Sequence, residues 1–485
     1  MRKLTTLVAL TLFFPLYSFS QIDLCLPVAT ARGGAVTAVA SDWEAIGINP
    51  ANLGWKSNHK FSITILNVGL SVQSHALDFP TLKNAILNPT APFTPEEKVS
   101  YARVFSTEDG LNLNADVNWV AFSFNIPKIG GIAINVRDRI IGHVTLSQTA
   151  ADIMFNGVNS AAYKDSDVTS KKISHELAGT SVGYYHYREL NIDYGHKLFE
   201  IGGGMNASHA SFEGYSFRSL GPEGNVDTSD YTALKVYGGV GFKYLWGLGN
   251  LVANITDGGL DAHSSFSTDY GINYGSIQNF SPSNVNNLFN NTGGGYALDF
   301  GLSAAYKSWK FGVSATDLGS ILWKHNQLTA VDTNMPKLGA SNNGINSWGG
   351  SGLDFVFAND NPINFKPGPD YTVVLPAMLR SGVSYQISKV VLLSADAVFP
   401  LNNVPGNLES PYYAVAGQIT AYKSLIVYTG FAGNTTFGFN MPLGISFGFR
   451  NVLMVYIATN DILTYLVKTN NPVISFAFGM LRFNI

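Results

Sequence analysis

A strict period-two alternation runs through the C-terminal half of this chain, and it narrows the possible folds more than any other feature. In "LDFGLSAAY" (298–306), Leu298, Phe300, Leu302 and Tyr306 share one face, and Asp299, Gly301, Ser303 and Ala305 share the other. After a short turn, Trp309, Phe311, Val313 and Ala315 oppose Lys310, Gly312, Ser314 and Thr316. The form recurs with Val383, Tyr385 and Ile387 against Arg380, Gly382, Ser384 and Gln386. It recurs again with Leu443, Ile445, Phe447 and Phe449 against Gly444, Ser446 and Gly448. Successive side chains of a strand point to opposite faces, so these segments are strands with one bulky and one small face. A soluble sandwich sets its core face against solvated Lys, Glu and Thr. Here the second face is mostly Gly, Ser and Ala. Bulky apolar groups toward lipid and small polar groups toward a lumen are the pattern of a transmembrane barrel.

The rest of the chain agrees. Charged residues make up 13% of the 485, against roughly 25% in a typical soluble domain. The net charge of −3 comes with no basic block, so no nucleic-acid partner is expected. Arg2 and Lys3, the apolar run Leu4 to Tyr17 and the small residues Ser18 and Ser20 read as an export signal over 1–20, cleaved before Gln21. Later there is no run of about 18 apolar residues, so no membrane helix is expected. Cys25 follows Leu24 and is read as an incidental thiol, not a lipid-modified terminus. Short turns at 307–309, 388–390, 422–424 and 450–452 alternate with long Gly/Asn-rich connections such as 273–295, 338–352 and 400–411. Short periplasmic turns and long outer loops are the asymmetry of an outer-membrane barrel. The final strand, "VISFAFGMLRFNI", changes phase near Met480, which predicts a bulge there.

In the N-terminal half, strands are expected near 59–74, 112–126, 131–147, 177–197, 199–217 and 231–257. A short helix is expected over 93–105, capped by Thr94 with Pro95 in its first turn. The fold class is therefore all-β: a transmembrane antiparallel β-barrel of about 14 strands in the cell outer membrane. So wide a lumen needs a plug. Residues 21–57 precede the first strand and are not strand-like, so they are read as a hatch in the lumen, with the barrel over 58–485. In "IGINPANLG" (46–54), Asn49 can cap one helical turn, Pro50 fits its first position and Gly54 can close it in a left-handed conformation.

The stretch "ARGGAVTAVASDWEAIGINPANLG" (31–54) resembles the N-terminal segment of the FadL/TodX family of outer-membrane transporters for hydrophobic compounds, and is similar to that of PorV-type barrels. Gly33, Gly34, Ala35, Thr37, Ala38, Asp42, Asn49, Pro50 and Ala51 match; Trp43 and Glu44 replace the small residues often found after the Asp. The resemblance implies a barrel of about 14 strands with an N-terminal hatch. It marks Gly33, Gly34, Asp42, Asn49, Pro50 and Ala51 as hatch and gating residues. It also implies passive, hatch-gated uptake of small hydrophobic, fatty-acid-like compounds. The alternative is a PorV-like accessory that binds an envelope protein or exported cargo and transports no small molecule.

Chemistry beyond transport is not expected. The nine histidines are scattered, and no carboxylates stand at metal-ligand spacing beside His186 and His196, so neither metal nor cofactor is called for. No Gly-x-Ser-x-Gly elbow is expected, and no convincing Ser/His/acid set is visible, so no enzyme is expected. Arg137 and Arg139 share parity in "INVRDRIIG" and, with Arg380, are expected to face Asp299 and Asp396 across the lumen. The partners expected are outer-membrane lipid, a hydrophobic small molecule and, in the alternative, an envelope protein.

Overall fold

The structure is a computed structural model. It describes residues 25–55, 60–74, 76–105, 110–201, 233–274, 277, 279–348, 363–404, 407–408, 410–422, 425–435, 438–449, 453–467 and 472–484. The expected export signal and the turn at 450–452 lie outside these residues, as does most of the turn at 422–424.

Fourteen strands form the wall: β1 (Phe61–Ser74), β2 (Leu111–Ile126), β3 (Gly130–Thr145), β4 (Thr180–Ile201), β5 (Leu234–Thr256), β6 (Gly293–Tyr306), β7 (Trp309–Trp323), β8 (Met378–Gln386), β9 (Val391–Pro400), β10 (Tyr412–Tyr422), β11 (Leu425–Asn434), β12 (Leu443–Phe449), β13 (Leu453–Thr459) and β14 (Val473–Asn484). Each pairs antiparallel with the next. The ring closes where β14 pairs with β1, from Ser62–Asn484 to Gln73–Val473. Short strands at Tyr371–Val374 and Gly438–Asn440 extend the pairing of β7 and β11. Strands at Gly259–Phe266, Gln327–Ala330 and Phe365–Pro367 add a small sheet to the upper edge of β5. Among the described residues, no helix is long and apolar enough to cross a membrane.

The alternation sets the two faces. Phe300, Leu302, Phe311, Val415 and Phe447 stand exposed on the outside, while Asp299, Gly301, Ser303, Ser314 and Ser446 are buried inside. A phase change near Met480 is present: the β13–β14 register shifts between Met454 and Tyr456, so Phe476 and Phe483 both face out although their numbers differ in parity. The expected break between strands 177–197 and 199–217 is absent. β4 runs to Ile201 through a register shift at Lys197/Phe199, because the extra residue is absorbed as a bulge and not as a turn. Residues 202–217 lie outside the described residues.

The long connections at one end carry structure of their own. The helices at Phe79–Leu87, Pro95–Phe105 and Gln148–Asn156 bury Leu82, Phe105, Ile153 and Phe155 with Ile173, Met335 and Ile345 in one apolar cluster. The helix at 95–105 has the predicted cap. Thr94 Oγ1 accepts from Glu97 N at 3.2 Å and Glu97 Oε2 accepts from Thr94 N at 2.8 Å, a reciprocal box.

An arginine in place of Val313, which is 46% exposed on the outer face, should destabilise the barrel by roughly 2–4 kcal/mol if the site lies near a bilayer midplane, and less near an interface. Urea unfolding in lipid vesicles measures this, and a neutral result for both Val313→Arg and Val383→Arg would mean that the faces are inverted.

Candidate functional site

Residues 25–55 lie within the ring of strands, and nearly every one is buried. The segment satisfies much of its own backbone. A helical turn at Pro27–Ala31 is followed by 3-10 turns at Asp42–Ala45 and Pro50–Gly54, with Ile48 N and Asn49 N both donating to Ala45 O. A segment that closes its own hydrogen bonds can sit inside a barrel without a sheet partner. Asn49 caps the last turn as predicted, its Oδ1 accepting from Ala51 N at 3.1 Å, with Pro50 at the first position. Gly54 is not left-handed. The positive φ in this stretch belongs to Gly47 (71°), and Gly54 is small because a Cβ there would stand 2.8 Å from the His196 backbone.

The wall is cut to fit this segment. A Cβ on Gly301 would lie 2.1 Å from Asn49 Oδ1, and one on Gly239 would lie 2.3 Å from Ala51 N. The small inner face is therefore where the segment's backbone meets the strands. Polar side chains on that face hold it. Asp396 accepts from Val36 N at 2.9 Å and Thr37 N at 2.7 Å. Ser394 Oγ donates to Ala35 O at 2.8 Å and Ser384 Oγ to Ala38 O at 2.9 Å. Asn49 Nδ2 donates to Leu302 O at 3.2 Å, and Trp55 Nε1 to Ser303 Oγ at 3.0 Å. Gly33 and Gly34 both have positive φ, 57° and 91°, in the bend that follows the first helical turn. Asp42, also at positive φ (53°), faces Arg482 of β14: Nη2 lies 3.0 Å from Asp42 Oδ2 and Nη1 3.3 Å from Glu44 Oε1. The guanidinium also lies 5.7 Å from the Trp43 ring centroid. Trp43 and Glu44 thus both meet the same arginine.

The predicted lumen charges are all buried but do not form one array. Arg137 pairs with Glu189. Arg139 Nη1 lies 3.3 Å from Asp317 Oδ2, and its Nε 3.8 Å from Asp116 Oδ1. Asp299 is paired with Lys243 at 2.9 Å, not with an arginine, and its Oδ1 accepts from Asp317 N at 2.8 Å. Arg380 and Asp396 stand on the adjacent strands β8 and β9, and Asp396 serves the N-terminal segment. Alternation alone shows Lys243, opposite Phe242 and Tyr244. It misplaces Asp317, whose odd number puts it on the outer face. A bulge with φ of 60° turns Asp317 inward beside Thr316. A carboxylate in an otherwise apolar outer row was the available signal. Arg482 stands inward as the expected phase change in β14 implies, but its role toward Asp42 and Glu44 was not read from the sequence. Toward the long-loop end the inner face turns apolar, with Tyr187, Leu245, Ile321, Trp323 and Leu375 packed together.

A Gly-x-Ser-x-Gly sequence does occur, as "GTSVG" at 179–183, and Ser181 Oγ lies 3.1 Å from His143 Nε2. Ser181 sits within an unbroken strand, paired to Thr145 and Asn254. A nucleophile elbow needs a sharp strand-to-helix turn that frees the following N–H for an oxyanion, and this ladder provides none. Among the described residues no group of three or more metal-ligating side chains is present.

Arg482→Met leaves Asp42 and Glu44 buried without their counter-ion, so it should cost about 3–5 kcal/mol in urea unfolding. Adding Asp42→Asn and Glu44→Gln should recover much of that loss. If Arg482→Met unfolds like the parent, the ion pairs do not hold the segment.

Comparison with known proteins follows the architecture. No curated protein matches the chain. Among solved structures, it is similar to the toluene transporter TbuX of Ralstonia pickettii, at 14% identity over 97% of this chain and 100% of that one, with a TM-score of 0.43. It is similar also to the toluene transporter TodX of Pseudomonas putida, at 10% identity over 97% and 98%, with a TM-score of 0.39. A FadL homologue of Pseudomonas aeruginosa is similar at 10% identity over 97% and 99%, with a TM-score of 0.41. The strand count and closure rest on the chain's own pairings. A family model described as a family of unknown function (DUF5723) matches residues 50–460, most of the chain, and this protein belongs to that family.

Proposed function

We propose that this protein spans an outer membrane and admits small hydrophobic, fatty-acid-like molecules by passive diffusion, with the N-terminal segment as its hatch. The observation that carries the proposal is the segment 25–55, buried inside the ring and held by separate polar contacts to several strands. Such contacts break one at a time, whereas a covalent or continuous β-pairing would not. The outer face supports the membrane setting: Leu302, Phe311, Val415, Phe431 and Phe447 form an apolar skin that water would disfavour. Above the ion network, Tyr187, Leu245, Ile321, Trp323 and Leu375 offer an apolar surface to a hydrophobic solute. In this proposal Gly33 and Gly34 give the hatch its bend, Asp42 latches it to the wall, and Asn49, Pro50 and Ala51 form the rigid turn at its base.

Deleting residues 21–57 should leave a closed barrel that conducts ions in planar bilayers, where the full chain is nearly silent. Asn49→Ala with Pro50→Gly should give intermediate, flickering conductance, because the turn loosens without leaving. A silent deletion would show that something else blocks the lumen. Strong conduction by the full chain would make it an open porin.

A further inference from the structure

The outer wall carries a concavity that the hatch does not touch. It has a volume of about 560 Å³ and lies over β5, β6 and β7 at the long-loop end. Its floor is a run of small outward positions. The register aligns Trp246, Gly294, Leu322 and Thr372 in one row, and Tyr244, Tyr296, Ser320 and Val374 in the row below. Gly294, two residues along β6, and Ser320, its neighbour on β7, leave space beside Tyr296, which is 67% exposed. The upper rim is Asn287, Asn291, Thr292, Lys324 and His325, fixed by bonds from Lys324 N and His325 N to Thr292 O at 2.9 and 3.1 Å. Lys324 and His325 are exposed, and Lys324 makes no ion pair among the described residues.

The height of this niche follows from the strand that crosses it. From Gly294 to Tyr306, β6 runs roughly 40 Å along its own length, or about 30 Å along the axis at the usual tilt. That is the thickness of a hydrocarbon core. Tyr306 and Trp309 mark the other boundary, as interfacial aromatics do. The Gly294 row also contains Arg188, whose Nε lies 2.6 Å from Asp138 Oδ1 and whose guanidinium lies 4.6 Å from the Phe289 ring centroid. Outward charges in that row mark the level where hydrocarbon ends, since they are costly below it.

We propose that the niche seats one phosphate-bearing lipid of the outer leaflet. Its phosphate meets Lys324 and His325, and an acyl chain runs down the gap beside Tyr296 toward Leu298. The inference rests on the outer-membrane setting proposed above, and charge complementarity at the rim selects an anionic occupant over a neutral one.

The protein is reconstituted in nanodiscs of phosphatidylcholine containing a minority of phosphatidylglycerol and released for native mass spectrometry. The parent should retain one phosphatidylglycerol at energies that strip the other lipids. Lys324→Glu should lower that retained fraction roughly fivefold, the equivalent of about 1 kcal/mol for a basic residue at an anionic surface. Gly294→Leu should do the same by filling the floor. It is tolerated by the wall, because the nearest atom to a Cβ there is Leu245 O at 3.9 Å. Lys389→Glu, at the short-turn end, should change nothing. Equal retention of both lipids by the parent, or unchanged retention by both niche variants, overturns the proposal. Failure of the parent itself to enter nanodiscs would overturn the membrane setting on which it rests.

Discussion

In hydrocarbon a strand edge has no water to satisfy it, so the wall must close on itself. Everything else in this protein depends on the seam where β14 meets β1. At its lower end, Ser62 Oγ donates to Asn484 Oδ1 at 2.7 Å beside the last ladder pair. The register is set by the bulge in β14, which moves one residue out of phase and so decides that Arg482, not Leu481, faces in. The strand that completes the ring thus also presents the cation that meets Asp42 and Glu44.

Closing so wide a ring creates a second problem, an interior that its own small side chains cannot fill. The chain answers with complementary shapes. The glycines and serines on the inner face are small because the N-terminal backbone lies against them. The charges above that backbone are paired both between neighbouring strands, as Arg137 with Glu189, and between strands further apart, as Arg139 of β3 with Asp317 of β7, while Lys243 is shared between Asp299 and Asp317. Buried pairs of this kind contribute little over well-packed apolar groups, but losing one member is costly. They therefore fix which strands stand opposite one another more than they add stability.

Much of this was legible in the sequence because lipid and lumen demand opposite residues at alternate positions. The hairpins from Leu298 to Thr316 could be assigned to faces residue by residue, and Asn49 and Pro50 announced their turn. Alternation failed where a bulge interrupts it. Asp317 changed sides, and the strand through Lys197 did not end, whereas the phase change near Met480 was legible and placed Arg482 inward. The apolar cap over the long-loop end was also hidden. Its helices are short, and the contacts of Phe105 and Phe155 join segments far apart in the chain. No local period records such a meeting.

The pairing of Arg482 with Asp42 also bears on time. These residues are 440 positions apart, one before the first strand and the other in the last. A contact of that separation cannot form until the intervening chain has been arranged. The arginine therefore cannot grip its carboxylates in any intermediate that lacks β14. The N-terminal segment is gathered in as the wall is built, and its final fastening coincides with the joining of the first and last strands. A barrel stalled before that step would lack both its closed seam and this clamp, so the same event that removes the exposed edge also fixes the N-terminal segment inside the ring.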